Sequence, residues 1–384
     1  MLKLDAEAAA QQLRDVLDNF EGRHRNLLQI FETRADQMED ALDPHAKLDQ
    51  TQRRLIGSYF LNEYSFEASA LFNPSIVRHP DQSGLSDNSC RFILSLRAVG
   101  EGHISSLTFR SGIIAGDGSI KIDATARMAS FPKIRSRNAG RYGEEVEVVF
   151  PPEEELSERV IFPITESQVN GIEDARFVEF IDDNGEHTYY ATYTAYSGRA
   201  IRSELIETKD FLSFKMTPLG GTAAHNKGMA LFPRKIDGRY AMIGRQDNEN
   251  LYLIYSDDLY TWNGGRPFLQ PIHPWEFVQI GNCGSPIELD EGWLLLTHGV
   301  GPVRKYSIGA VLLDKADPSK VLARSREPLL RPEPGEREGY VPNVVYTCGF
   351  MRHRDHIILP YAVSDTFSNF ATMRISDLRH AVAG

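Results

Sequence analysis

The feature that most constrains the fold is a unit of short strands that recurs along the chain. Each unit has a strand, a tight turn, a second strand, a loop and a third strand, and closes with a short Asp-Leu or Asp-Phe element. The units start near residues 73, 175, 229, 285 and 342, about 55 apart except for a first interval about twice as long. Such units are typical of β-propeller blades, because circular closure removes long sheet edges. We therefore predict an all-β fold, a five-bladed β-propeller with residues 112–170 as an insertion. The alternative is a β-sandwich or a plain meander.

The start of the chain has a different pattern. Over residues 5–45, apolar side chains recur at steps of three and four, as one face of a helix requires, and a second short helix is predicted over 46–58. We predict an N-terminal helical arm over residues 1–60 and a propeller catalytic domain over 61–384. The arm can pack on the body or form a homo-oligomer. Its polar face mixes acids with bases, unlike that of a membrane-surface helix.

The charge balance excludes several classes of partner. Lys and Arg number 42, Asp and Glu number 53, and the net charge is −11 with no basic tract. A nucleic-acid binder needs clustered cations, so none is predicted. No apolar run approaches the ~18 residues of a membrane span, and no signal peptide is visible. With three widely spaced cysteines, these features predict a cytoplasmic protein, and no cofactor or metal motif is present.

Polar residues occupy the unit starts and the strand ends. The first strand of a propeller blade lines the central channel, so polar residues there are candidates for a ligand site. These candidates are Asn73, Arg97, Asp174, Arg176, Lys227, Arg245, Asp247, His298 and Asn343. Amide, carboxylate and cationic groups in one ring predict a polar ligand.

The segment Gly171-Ile-Glu-Asp-Ala-Arg is the densest of these positions. Strand alternation predicts that Asp174 and Arg176 share one side and that Glu173 faces the other. An enclosed carboxylate can have a raised pKa and donate a proton, whereas a nearby Arg lowers that pKa. The alternative is a salt-bridged turn on the surface.

Three further residues stand at corresponding depth in three successive units: Lys227, Arg245 and His298. Cationic or proton-donating groups that converge on one point would bind phosphate or a carboxylate. Each residue alone is compatible with a structural role. Their equivalent repeat positions favour an anion site.

Several segments carry a resemblance to a known family. They include Gly171-Ile-Glu-Asp-Ala-Arg, Asn226-Lys-Gly-Met-Ala-Leu-Phe-Pro, Gly292-Trp-Leu-Leu-Leu-Thr-His-Gly-Val and Glu338-Gly-Tyr-Val-Pro-Asn-Val-Val-Tyr-Thr-Cys-Gly. Together they resemble glycoside hydrolase family 130, the β-mannoside phosphorylases and mannosidases. The resemblance covers about residues 68–375 and implies a five-bladed propeller, in agreement with the number of units.

The resemblance also implies roles for individual residues. Asp174 would be the general acid that protonates the glycosidic oxygen, in the phosphorylases through a sugar hydroxyl, while phosphate attacks the anomeric carbon with inversion. The implied phosphate contacts are Lys227, Arg245, His298 and Tyr306. The substrate-binding candidates are Asn73, Arg97, Arg176, Asp247 and Asn343. The expected activity is phosphorolysis of β-mannosides (manno-oligosaccharides) to mannose 1-phosphate, with inorganic phosphate as co-substrate and no cofactor.

Two positions depart from the family pattern. Ala175 replaces the usual Pro, which changes backbone stiffness more than chemistry. Gln279 stands where phosphorylases commonly carry Lys, and losing one charge-assisted hydrogen bond costs about 1.5–3 kcal/mol. Arg304 or Lys305 could compensate.

Two other functions remain open. In an inverting β-mannosidase a carboxylate base activates water, and the candidates are Glu276, Asp247 and Glu338. A catalytically silent carbohydrate-binding propeller would bind sugar without turnover. We favour phosphorolysis, because the three phosphate-site residues and Asp174 are all present.

Overall fold

The computed structural model describes residue 1, residues 3–41 and residues 48–383. The chain divides into two compact units. One comprises Met1–Ser65 with Ala126–Met128, and the other comprises Phe66–Thr125 with Ala129–Gly384.

The smaller unit is helical in its described residues. It contains α1 (Ala6–Phe20), α2 (Leu27–Gln37) and α3 (Gln50–Tyr59). The Asp5 carboxylate accepts from the Ala8 N–H at 2.8 Å and begins α1, and Asp49 forms a capping box with Gln52 at the start of α3. The helix predicted over 46–58 therefore begins at residue 50. Leu42 and Pro44, where the first helical pattern ends, lie outside the described residues.

The first sheet of the larger unit has 11 strands. They are β1 (Ala70–Arg78), β2 (Cys90–Val99), β3 (Ser105–Ile114), β4 (Ile120–Ile122), β5 (Lys133–Gly140), β6 (Gly143–Val149), β7 (Val160–Ile161), β8 (Gly171–Ile181), β9 (His187–Tyr196), β10 (Ile201–Thr208) and β11 (Ser213–Pro218). Their order is β1-β2-β3-β8-β9-β10-β11-β6-β5, and β4 and β7 pair with β3. A single parallel pair, Ser105 with Gly171, joins β3 to β8. The sheet therefore consists of two antiparallel groups that are joined by this one residue pair. The first group contains β1 to β4 and β7, and the second contains β5, β6 and β8 to β11.

Three smaller sheets follow along the chain. The first contains β12 (Ala230–Leu231), β13 (Tyr240–Gly244), β14 (Leu251–Ser256) and β15 (Arg266–Leu269). The second contains β16 (Gln279–Asn282), β17 (Ile287–Glu288), β18 (Trp293–Val300), β19 (Tyr306–Leu313) and β20 (Val321–Arg324). The third contains β21 (Val345–Tyr346), β22 (Met351–His353), β23 (His356–Val363) and β24 (Phe367–Arg374). A helix, α4 (Ile375–Ala383), ends the described chain. The structure confirms a mostly β fold. Residues 112–170 contribute β4 to β7 to the first sheet.

Neighbouring strand groups pack against each other through large apolar side chains. The rings of Phe232 and Trp293 meet edge to face at 5.1 Å between the third and fourth groups. The first and last groups also meet, since Phe92 lies 6.1 Å from Phe370 and the Leu71 N–H donates to the Thr366 carbonyl at 3.0 Å. The start and end of the larger unit are thus joined directly. None of the described helices combines the length and apolar composition that a membrane span requires.

Candidate active site

Four of the predicted unit starts share an unusual backbone conformation. Asn73, Asp174, Asn226 and Asn343 have φ angles of 49°, 56°, 76° and 64°. Asn and Asp are the residues other than Gly that adopt this left-handed region most easily. The β1–β2 register shifts after Phe72, and the β8–β9 register shifts after Glu173. These irregularities redirect the side chains at the strand starts.

Asp174 lies at the centre of a hydrogen-bonded group. Its Oδ1 accepts from Asn73 Nδ2 at 2.7 Å and from Arg97 Nη1 at 3.3 Å. Burial raises the pKa of the Asp174 carboxyl, but the charges of Arg97 and Arg176 and the Asn73 hydrogen bond outweigh it and hold that pKa below its usual value. Asp174 is therefore ionised in the ligand-free protein.

The predicted position of Glu173 is wrong. Arg97 Nη2 donates to Glu173 Oε1 at 2.7 Å, while Arg97 Nη1 donates to Asp174, so both carboxylates lie on one guanidinium. Lys227 Nζ donates to Glu173 Oε2 at 2.6 Å. The positive φ of Asp174 and the register shift break the strand alternation on which the prediction rested.

Arg176 supports Asp174 from the protein interior. Its Nη1 donates to the Asp174 backbone carbonyl at 3.0 Å, and its Nη2 donates to the Tyr346 hydroxyl at 2.6 Å. Only 3% of Arg176 is exposed. Arg176 therefore holds the backbone of Asp174 from the buried side.

Arg245 and His298 form a second part of the site. His298 Nδ1 lies 3.2 Å from the Asn282 carbonyl, which can only accept, so Nδ1 carries the hydrogen and Nε2 has the lone pair. Arg245 Nη1 faces that Nε2 at 3.5 Å. Burial, followed by the charges of Arg245 and Arg176, lowers the pKa of His298 well below its usual value. His298 is therefore neutral and adds no positive charge.

Aromatic rings surround His298. Tyr306 stacks on it with 5.7 Å between centroids, and Tyr346 lies 4.8 Å away. The Tyr306 N–H donates to the Asn343 carbonyl at 3.0 Å, which brings Asn343 beside this cluster. A Cβ on Gly281 would lie 2.2 Å from the His298 ring, so the close approach of imidazole and backbone requires glycine. Tyr346 connects the two parts of the site, since its hydroxyl contacts Arg176.

Asp247 is engaged in its own loop. Its carboxylate accepts from the backbone N–H groups of Glu249 and Asn250, from the Asn250 amide and from the Tyr252 hydroxyl, at 2.7–2.9 Å. These hydrogen bonds outweigh burial, which raises the pKa, and lower the pKa of Asp247 to about 2. These contacts stabilise the loop after β13, and the predicted contact of Asp247 with substrate stays a prediction.

The other two candidate bases of a hydrolase differ in their surroundings. Glu276 is fully buried, and its Oε1 accepts from Arg324 at 2.6 Å and from the N–H groups of Ile272 and His273 at 3.0 Å. Glu338 is exposed. The contacts of Glu276 stabilise the segment before β16.

Sequence reasoning missed one carboxylate of the site, Asp365. It follows β23 with a φ of 52° and interacts electrostatically with Asp174, Arg97 and Arg304. Burial, reinforced by repulsion from Asp174, raises the pKa of Asp365 to about 6. A signal existed: Asp365 follows the second strand of the last unit, as Arg245 follows that of the third.

Three polar atoms of the site are buried without a partner among the described residues. They are Asn73 Oδ1, Arg176 Nε and Arg245 Nε. Leaving such atoms unpaired costs about 1–3 kcal/mol each, so native structures rarely tolerate them. Their position beside Asp174 and His298 indicates that a polar ligand completes the site.

The family model for glycoside hydrolase family 130, described as beta-1,4-mannooligosaccharide phosphorylase, matches residues 148–382. The chain belongs to glycoside hydrolase family 130. This confirms the family that the sequence motifs indicated. The matched range contains Asp174 and the residues around His298, whereas Asn73 and Arg97 precede it and join the site through their contacts with Asp174.

Named phosphorylases are also similar to this chain. A 1,2-beta-oligomannan phosphorylase of Thermoanaerobacter sp. (strain X514) is 37% identical over 229 residues, which are 58% of this chain and 75% of the relative. A beta-1,2-mannobiose phosphorylase of Listeria innocua is 34% identical over 229 residues, 57% of this chain and 62% of the relative. The solved structure of the beta-1,2-mannobiose phosphorylase from Listeria innocua, in complex with beta-1,2-mannobiose, has a TM-score of 0.59 at 25% identity, covering 84% of this chain and 94% of that one.

Proposed function

We propose that this chain is a glycoside phosphorylase that cleaves β-mannosides with inorganic phosphate and releases mannose 1-phosphate with inversion. The observation that supports the proposal is that Asp174 and Arg245 are linked through a series of contacts made by Arg176, Tyr346 and His298. The relatives named as 1,2-β-oligomannan and β-1,2-mannobiose phosphorylases support β-1,2-mannobiose as the first substrate to test.

The phosphate would bind between Lys227, Arg245 and His298. Arg245 offers its unpartnered Nε together with an Nη1 that has only a 3.5 Å contact. The lone pair on His298 Nε2 accepts the proton of a hydrogen phosphate, which a cationic imidazole would not do. Lys227 is 39% exposed and shared with Glu173, so it contributes less than Arg245. Tyr306 covers the imidazole.

Asp174 would supply the proton of the leaving group. It is ionised without ligand, and a bound phosphate anion nearby raises its pKa so that it takes up a proton. A phosphate oxygen forms its bond to the anomeric carbon as the bond from that carbon to the glycosidic oxygen breaks. The proton of Asp174 passes to the departing oxygen, through a sugar hydroxyl, and Asp174 is then protonated again from solvent. Attack on the opposite face converts the β-linkage to an α-phosphate.

The mannose that reacts would be held by Asn73, Arg97, Asn343 and Asp365. Asn73 Oδ1 is buried without a partner among the described residues, and it suits a sugar hydroxyl as a donor. Asp365 adds acceptor oxygens next to Arg97.

The proposal extends to the architecture. The five strand groups would close as a five-bladed β-propeller, with β1 against the last group. The hydrogen bonds from Leu71 N–H to Thr366 and from Cys348 N–H to Pro74, at 3.0 and 2.8 Å, support this closure.

The test is an incubation of the protein with β-1,2-mannobiose in the presence and absence of phosphate. We expect mannose and α-mannose 1-phosphate in equal amounts, only when phosphate is added. Release of mannose at the same rate without phosphate would show a hydrolase. Binding of mannobiose with no turnover under either condition would show a carbohydrate-binding protein.

A further inference from the structure

Two aromatic rings stack on the surface without being part of the hydrophobic core. His103 and Tyr340 have ring centroids 6.0 Å apart and planes inclined by 21°. Tyr340 is 73% exposed, and His103 is also exposed. Burial in the core therefore does not explain this pair, and tyrosine is enriched at interfaces because its ring is apolar and its hydroxyl is polar.

Tyr340 is fixed beside Asp365. The Tyr340 N–H donates to Thr366 Oγ1 at 3.3 Å, and the Val341 N–H donates to the Ser364 carbonyl at 3.0 Å. A Cβ on Gly339 would lie 2.6 Å from Ser364 Cβ, so this close approach needs glycine. The segment that carries Tyr340 thus lies against the residues that flank Asp365.

The turn that carries His103 lies close to Arg97. It connects β2, which carries Arg97, to β3, which begins at Ser105. Arg97 Nε donates to Ser105 Oγ at 2.8 Å, and this hydrogen bond joins β2 to the first residue after the turn. Arg97 and Asp365 both interact with Asp174. The two rings consequently stand at the rim of the site, on the side of the acid.

We propose that His103 and Tyr340 form the subsite for the sugar that leaves, the pyranose ring on the far side of the scissile bond. The inference rests on the proposed function and names a part of the same site. In the proposed reaction the proton of Asp174 reaches the leaving oxygen through a single sugar hydroxyl, so the leaving sugar lies on the side of Asp174, where the two rings are. A pyranose ring has an apolar face of C–H groups, which packs on the electron-rich face of an aromatic ring. In phosphorolysis this sugar departs; in the reverse reaction it is the acceptor.

The experiment measures sugar binding and turnover separately. Binding of β-1,2-mannobiose is titrated calorimetrically to Asp174→Asn and to Asp174→Asn combined with Tyr340→Ala, so that no turnover interferes. Losing one ring contact should weaken binding about 3- to 10-fold. Tyr340→Phe in place of Tyr340→Ala restores the ring and should rescue most of the loss. His103→Ala should weaken binding in the same direction.

In the active protein, Tyr340→Ala should raise the KM for mannobiose and leave the KM for phosphate unchanged. A purely structural role would move both constants and the melting temperature. Phe131→Ala is the matched control, because it removes another exposed ring (54%) that packs on Phe66 and Phe162. Unchanged mannobiose affinity in Tyr340→Ala, or an equal loss in Phe131→Ala, would overturn the subsite. Failure of the proposed function is seen independently, as absence of phosphate-dependent turnover in the unmodified chain.

Discussion

Arg245 is the residue on which phosphate binding should depend most. Its guanidinium makes only one long contact, 3.5 Å to His298, and its Nε is buried without a partner among the described residues. Replacement by Gln removes the charge but keeps a polar side chain. At about 1.5–3 kcal/mol for one charge-assisted hydrogen bond, the KM for phosphate should rise roughly 10- to 150-fold.

Lys227 provides the matched comparison. Its side chain is 39% exposed, and its ammonium group is already paired with Glu173 at 2.6 Å. Phosphate must share this cation with a carboxylate, and solvent screens it. Lys227→Gln should therefore raise the KM for phosphate less, by under about tenfold.

The assay varies phosphate at saturating β-1,2-mannobiose and records mannose 1-phosphate. The KM for mannobiose is measured at saturating phosphate as the control, and it should change little in either variant. The reasoning is refuted if Arg245→Gln leaves the phosphate KM unchanged, or if Lys227→Gln has the larger effect. Circular dichroism should show both variants folded.

Three further outcomes are expected. Asp174→Asn should lower kcat by about 10²–10⁴ with mannobiose still bound, and full activity would remove Asp174 as the acid. Burial raises the pKa of Asp365 from 3.8 to about 6, so between these pH values the folded state keeps a proton that the unfolded state has lost. The contribution of Asp365 to the free energy of unfolding therefore falls as the pH rises through this range. In urea unfolding at about pH 4 and about pH 7, Asp365→Asn should reduce the difference in the free energy of unfolding between the two pH values. An unchanged difference would contradict the raised pKa. Glu276→Gln weakens the buried ion pair with Arg324 and should lower the melting temperature, while the folded variant still catalyses phosphorolysis. Loss of turnover in the folded variant would show that Glu276 has a role in catalysis.

The repeated unit could be predicted from the sequence because tight turns and alternating strands leave local signals. Its polar starts also indicated which side chains would meet: Asn73, Arg97 and Asp174 are far apart in sequence and in contact in the structure. Equivalent positions converge on one point when the repeated units close in a circle, as in the proposed propeller.

The orientation of Glu173 could not be predicted in the same way. Strand alternation assumes extended backbone, and the left-handed φ of Asp174 breaks it. Nor could the charge of His298 be predicted, because it depends on complete burial and on two guanidinium groups contributed by other strands. Both properties arise from tertiary contacts.

Asp247 and Asp365 differ in how far the sequence explains them. The Asn-Glu-Asn that follows Asp247 is a local turn signal that explains its hydrogen bonds within the loop, while its role in substrate binding stays a prediction. Asp365 belongs to none of the recognised motifs, and its position after the second strand of the last unit was the one sequence signal that it interacts with Asp174 and Arg97.

The central claim is that an anion site beside Asp174 binds phosphate. A crystal structure of the protein grown with phosphate tests it most directly. We predict one phosphate within hydrogen-bond distance of Lys227, Arg245 and His298, with Arg245 Nε no longer unpaired. A site that stays free of phosphate at saturating concentration, or a phosphate bound only away from these three residues, would contradict the account.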